Sequence, residues 1–177
     1  MFYGCSVFDQ DLSSWNMVNV TITNSMFQTC YEFDQDLSSW NMVNVTSMSG
    51  MFQSSTSFNQ PITWNTSSVT NMGNMFYGCT SLDALISFDT SAVTNMSYMF
   101  YFCQSLDQDF GVWDVTSTLY MTQMFGNVPL SVDNYDALLA GWSAQSLQSN
   151  VAFYATISKY CDEVSRQSII DNYTWTI

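Results

Sequence analysis

The residues best able to do chemistry in this chain are aspartates and cysteines, and both recur at fixed intervals. One acidic column runs Asp9, Asp34, Asn59, Asp83, Asp107, and a second runs Asp11, Asp36, Pro61, Leu85, Asp109. Like charges stacked one repeat apart repel, so a ladder of carboxylates needs a compensating use. Calcium binding is one such use, since that ion gathers about six to eight oxygens from carboxylates, carbonyls and water. Turn formation is another, with Asp side chains accepting from nearby backbone N–H groups. The second column lapses at Pro61 and Leu85, and no tandem calcium-binding nonapeptide is present, so no metal site is assigned. Asp9 with Asp11, or Asp34 with Asp36, also resembles a glycosidase pair in spacing. Acid–base work needs two carboxyls in unlike environments inside a pocket, whereas here each environment copies the last. The chain has no histidine, no Gly-rich phosphate loop and no nucleophile motif, so no catalytic residue and no cofactor is expected.

Cys5, Cys30, Cys79 and Cys103 share one repeat position, with Ser55 in the middle unit, while Cys161 has no evident partner. Adjacent rungs of a parallel stack lie about 4.8 Å apart. That is within the Cα separation of about 4.4 to 6.8 Å that a disulfide needs. Cys5–Cys30 and Cys79–Cys103 bridges are therefore open. Stacked side chains pointing the same way rarely reach the required dihedral, which favours small buried core residues instead. Zinc is not expected without His or a Cys-x-x-Cys pair.

These columns exist because the chain repeats. Met-Phe pairs begin at Met1, Met26, Met51, Met75, Met99 and Met124, which sets five units of 24 or 25 residues over 1–125. In one half of each unit apolar residues fall at Val45, Met48, Met51 and Phe52, and again at Val69, Met72, Met75, Phe76 and Cys79. That spacing predicts one face of a short helical segment. Thr21, Thr46, Thr70 and Thr94 stand where its N-cap would be. In the other half Phe8, Gln10 and Leu12 alternate with Asp9, Asp11 and Ser13, which predicts a short strand. The Trp and Phe columns read as core. The fold class expected is an α/β repeat solenoid, leucine-rich-repeat-like, with one short parallel strand and one short helical segment per repeat. Residues 126–177 lose the period and read as a C-terminal cap, with a helical stripe at Tyr135, Leu138, Leu139 and Trp142 and two short strands. With no such cap before Met1, the chain reads as a fragment of a longer array, or as one whose open first repeat docks end-to-end on a second copy.

The pattern MFxxCxxFxQDLSSWxxxxVTxM resembles the repeat of the BspA-like leucine-rich-repeat surface proteins. The tail from YDALLAGW to NYTWTI resembles the segment that closes such arrays. Members are typically secreted or surface-displayed and are associated with adhesion to host proteins or other cells. The resemblance thus implies an extracellular or cell-surface module that binds a protein or cell-surface ligand without catalysis.

Charge narrows the partners. With 15 acidic residues against 2 basic ones, and none of the basic ones before Lys159, nucleic acid is not expected. No apolar stretch approaches the roughly 18 residues that would span a bilayer, so membrane insertion is not expected in this segment. The N-terminal residues show no signal-peptide pattern. The binding surface expected is the polar set Asp9, Asp11, Ser13, Asp34, Asp36, Ser38, Asp107 and Asp109. Tyr3, Tyr77, Tyr98 and Tyr101 break the regularity and are candidates for exposed recognition residues.

Overall fold

The computed structural model describes residues Met1–Ile177. Within each repeat the backbone amides divide their partners. Thr23, Ser25, Phe27 and Thr29 donate to the carbonyls of Ser47, Ser49, Met51 and Gln53 in the next repeat, at 2.8–3.0 Å. Between them, Met26, Gln28 and Cys30 donate to Thr23, Ser25 and Phe27, three residues back. The switch is made by left-handed backbone at Ser25 (φ 53°) and Thr29 (φ 59°), and it recurs at Ser54, Asn74, Tyr98, Phe102, Gln123 and Asn127. An α-helix needs an unbroken run of bonds four residues back. A strand needs an extended run whose amides all point sideways. The repeats satisfy neither condition.

The expected α/β repeat solenoid is accordingly overturned. Two short helices, α1 (Val132–Ser143) and α2 (Glu163–Tyr173), are the whole of the regular structure, and both lie outside the repeats. No strand or sheet forms, so the leucine-rich-repeat-like unit of strand plus helical segment is absent. What joins the repeats are isolated parallel bridges, Ile22 to Ser47, Ser47 to Asn71, Asn71 to Asn95 and Asn95 to Tyr120, with a single one, Ile62 to Ile86, in the half predicted as a strand. Elsewhere in that half the ladder is intercepted by side chains. Asp9 Oδ1 accepts from the Asp34 N–H at 3.0 Å, Asp34 Oδ1 from Asn59 at 2.8 Å, and Asn59 Oδ1 from Asp83 at 2.8 Å. A backbone donor taken by a carboxylate cannot join a carbonyl ladder. The threonines expected as helix caps form a column instead, where Thr46, Thr70 and Thr94 donate both N–H and hydroxyl to the carbonyls of Thr21, Thr46 and Thr70.

Packing, not regular secondary structure, holds the column together. Phe2, Phe27, Phe52, Phe76, Phe100 and Phe125 stack at 5.4–5.6 Å between ring centroids, each ring within 14° of its neighbour. Trp15, Trp40 and Trp64 stack beside them at 6.3–6.4 Å. Each such buried ring contributes about 1.5–3 kcal/mol by leaving water. The indole N–H groups of Trp40 and Trp64 donate to the carbonyls of Leu12 and Leu37, so neither indole nitrogen is stranded.

Beyond residue 125 the same bond is supplied by different elements. Ser131 caps α1 by accepting from Asn134 N–H, and the helix buries Tyr135, Leu138, Leu139 and Trp142. Trp142 Nε1 then donates to the Phe110 carbonyl at 3.0 Å, as a sixth-repeat tryptophan would. The two strands expected here are only bridges, Met121 to Phe153 and Ala152 to Thr176. At the opposite end the first repeat leaves Val7 and Ile22 exposed and borders a cavity of about 600 Å³ beside Trp15 and Met26.

Candidate functional site

The two acidic columns have different tasks. Asp9 and Asp34 are half-buried and use Oδ1 on the backbone of the following repeat. Asp9 also takes the Gln35 amide at 2.8 Å. Asp107 closes this column on the C-terminal segment, accepting from Ser131 N–H at 2.7 Å and from the Asn134 amide at 2.9 Å. The second column is exposed. Asp11, Asp36 and Asp109 each accept from the N–H two residues on, Ser13, Ser38 and Gly111, at 2.7–2.8 Å. These are Asx turns, in which a side chain copies a backbone turn. Ser13 and Ser38 take part as backbone donors, and their side chains stay exposed. A third row, Asn16, Asn41, Asn65, Asp89 and Asp114, makes the same turn at 2.9–3.2 Å and went unread in the sequence. Its signal was an Asx residue next to the Trp or Phe column in every unit.

No group of three or more His, Cys, Asp or Glu side chains is placed to hold a metal ion. The five cysteines are unbridged. Cys30, Cys79 and Cys103 donate Sγ–H to the carbonyls of Phe2, Phe52 and Phe76 at 3.0–3.1 Å, and Ser55 does the same toward Phe27 at 2.6 Å. Burial pushes the thiols of Cys30, Cys79 and Cys103 above their usual value, which removes the thiolate needed for reactivity. Cys5 and Cys161 are exposed and lie outside this set of donors.

The carboxylates shift the other way. The N–H and hydroxyl of Ser13 and Ser38 hold Asp11 and Asp36 below the ordinary value of 3.8. The Ser91 hydroxyl and N–H do so for Asp89. For Asp107, burial pushes the pKa up, but the Ser131 N–H and the Asn134 amide outweigh it. A carboxyl whose pKa is lowered by folding stabilises the fold while ionised. That contribution is complete above the unfolded value and is lost as pH falls through the folded one. Urea midpoints are therefore expected to stay level from about pH 7 to pH 5 and to drop below about pH 4. A midpoint that rises on acidification would show that repulsion between the columns outweighs their turns.

Unit length changes twice along the stack, between the second and third repeats and again between the fourth and fifth, and the second change leaves a groove. The fourth repeat passes directly from Ser87 to Phe88, where the fifth inserts Val112 between Gly111 and Trp113. The mismatch opens a groove of about 530 Å³, lined by Leu85, Phe88, Val112 and Trp113 with Asp107 and Asp109 at its edge. Leu85 and Val112 are 60% and 84% exposed. The groove thus joins the end of both acidic columns to exposed aliphatic side chains. In the sequence its signal is Leu85 standing in an aspartate column; the shape it makes was not readable.

No curated protein and no solved structure matches the chain. No helix is long and apolar enough to cross a membrane. A family model described as "Mycoplasma protein of unknown function, DUF285" matches residues 1–63 and again 62–166, two passes that together take in all five stacked repeats and both the acidic columns and the groove. By that match the chain belongs to the DUF285 family.

Proposed function

We propose that the chain is a non-enzymatic binding module of the BspA-like surface-protein kind, extracellular or displayed at a cell surface. Its partner is a protein or cell-surface ligand that presents a basic side chain beside apolar ones. The observation that carries this reading is the groove between the fourth and fifth repeats, where Asp109 borders Leu85 and Val112. Asp109 spends one oxygen on the Gly111 N–H, and Oδ2 has no bond within the chain. A Lys or Arg head can pair with that oxygen while its aliphatic stem lies against Leu85 and Val112. Electrostatics supports binding over catalysis, because Asp11, Asp36, Asp89 and Asp107 are all shifted toward ionisation and none toward a general acid.

The test is selection of random peptides displayed on phage against the immobilised protein. Enrichment of Lys or Arg next to Leu, Ile or Phe is expected. Asp109→Asn keeps an oxygen for the Gly111 turn but removes the charge, and should weaken selected peptides about fivefold, the worth of one exposed ion pair. Leu85→Asp restores the column, removes the apolar wall and should abolish selection. Peptides without a basic residue, or equal binding to both variants, would overturn the reading.

A further inference from the structure

A second surface lies on the other half of each repeat and has no part in the groove. Residues 22–31, 47–56, 71–80, 95–104 and 120–127 contain none of the 15 acidic or 2 basic side chains, although the chain carries a net charge of −13. In the second and third repeats this face shows mainly amides and hydroxyls, such as Gln28 bonded to Gln53 at 3.0 Å, with Tyr31 as a lone exposed ring. In the fourth and fifth it turns aromatic. Tyr77 and Tyr101 replace the glutamines and stack at 5.1 Å. Tyr98 meets Tyr101 edge-on at 5.6 Å and 70°, and Phe102 meets it at 4.7 Å and 85°. The four rings thus brace one another, while Tyr98 and Phe102 remain 37% and 39% exposed.

The backbone makes this cluster costly. Tyr98 and Phe102 both hold left-handed conformations, φ 57° and 62°. Bulky side chains rarely adopt them. The same two repeat positions carry Gly50 and Asn74, and Ser54 and Gly78, elsewhere in the stack. Packing does not require rings there, because both are substantially exposed. Gly126 supports the cluster from below: a side chain at that position would collide with the Tyr101 ring. Backbone strain at exposed aromatic rings, at positions otherwise filled by Ser, Thr, Asn, Gln and Gly, is the pattern expected where recognition rather than stability selects the residue.

We propose that this face binds a neutral polysaccharide, with Tyr98, Tyr101 and Phe102 as the stacking platform. Sugar rings present C–H faces that pack on aromatic rings, and hydroxyls that pair with groups able both to donate and to accept. Gln53, Asn74 and Gln123 offer that dual character along the face. The absence of charge gives no anchor to an ionic ligand, and the net charge of −13 repels an anionic glycan. Neutral sugar polymers are the class left that matches both the rings and the amide rows.

Affinity electrophoresis in native gels tests this, since an acidic protein migrates well under those conditions. The gels contain hydroxyethylcellulose, glucomannan, galactomannan, dextran or pullulan, with alginate as the anionic control. At least one neutral polymer is expected to retard the wild-type chain, and alginate is not. The double variant Tyr98→Asn, Phe102→Gly uses residues already found at those repeat positions and relieves the backbone, so it should fold at least as stably. Its dissociation constant for the retarding polymer should rise about tenfold or more. Asp109→Asn should behave as wild type, which separates this surface from the groove. No retardation by any neutral polymer, equal retardation of the double variant, or retardation by alginate alone would overturn the proposal.

Discussion

Phe52→Ala is expected to remove a large share of the stability of the repeat column. Phe52 is fully buried and stacks on Phe27 at 5.5 Å and Phe76 at 5.6 Å, with Phe58 at 4.1 Å beside it. Its neighbours are held by backbone bonds to the rungs on either side, so the void cannot close by a local shift. Truncating a buried Phe to Ala costs about 3–5 kcal/mol. Domains of this size commonly have about 5–15 kcal/mol in all. The position also matters, because each repeat touches only its neighbours and a central defect separates the column into two short pieces. Urea unfolding followed by tryptophan fluorescence should show the free energy falling by about 3–5 kcal/mol. Phe8→Ala, at a half-buried site in the first repeat, is the comparison, with an expected loss of about 1–2 kcal/mol. Equal losses at the two positions would mean that the Phe column does not carry the stack.

That the stack carries its rings in register was legible in the Met-Phe period and in the fixed Phe and Trp positions. The secondary structure was not. Offsets such as Val45, Met48, Met51 and Phe52 fit a helical face, but they fit equally a chain of tight turns that returns to the core every three or four residues. What separates the two is the left-handed residue between turns, and Ser25, Thr29, Ser54, Tyr98 and Phe102 carry no sequence mark for it. The aspartate columns were half legible. Asp11 and Asp36 form the local turns that their spacing from Ser13 and Ser38 allows. Asp9 and Asp34 reach a backbone one full repeat away, which no short window of sequence displays. The groove depends on a one-residue difference between repeats four and five; the lengths of 24 and 25 were visible, their consequence at Leu85 and Val112 was not. Tyr98 and Tyr101 stood out by breaking the pattern, while Phe102, their partner in the cluster, did not.

Gly141→Ala sets two physical rules against each other. Gly141 lies inside α1, and helix propensity alone gives alanine an advantage of about 1 kcal/mol there. Packing argues the reverse. A Cβ on Gly141 would overlap the carbonyl of Gly111, and a Cβ on Gly111 would overlap the carbonyl of Ala137. Both obstacles are backbone, so relief requires α1 to move away from the fifth repeat. That movement would loosen Trp142 Nε1 from the Phe110 carbonyl and the Gln145 amide from the Trp113 carbonyl. It would also uncover Leu138 and Leu139, which are fully buried. Overpacking of this kind costs about 1–3 kcal/mol, enough to cancel the propensity gain. After the propensity gain the net loss is up to about 2 kcal/mol, which corresponds to a thermal midpoint lower by up to about 4–8 °C for a chain of this length. Protease cleavage between 126 and 177 should appear before cleavage within the repeats, because the damage is confined to the contact between α1 and the fifth repeat. Gly111→Ala should give the same phenotype from the other side, and the double variant should fall short of the sum, since both changes push on one contact. A Gly141→Ala chain that melts higher than wild type would show that α1 rides loosely on the stack. The burial of Trp142 against Phe153 and Trp175, at 5.3 and 6.3 Å, argues that it does not.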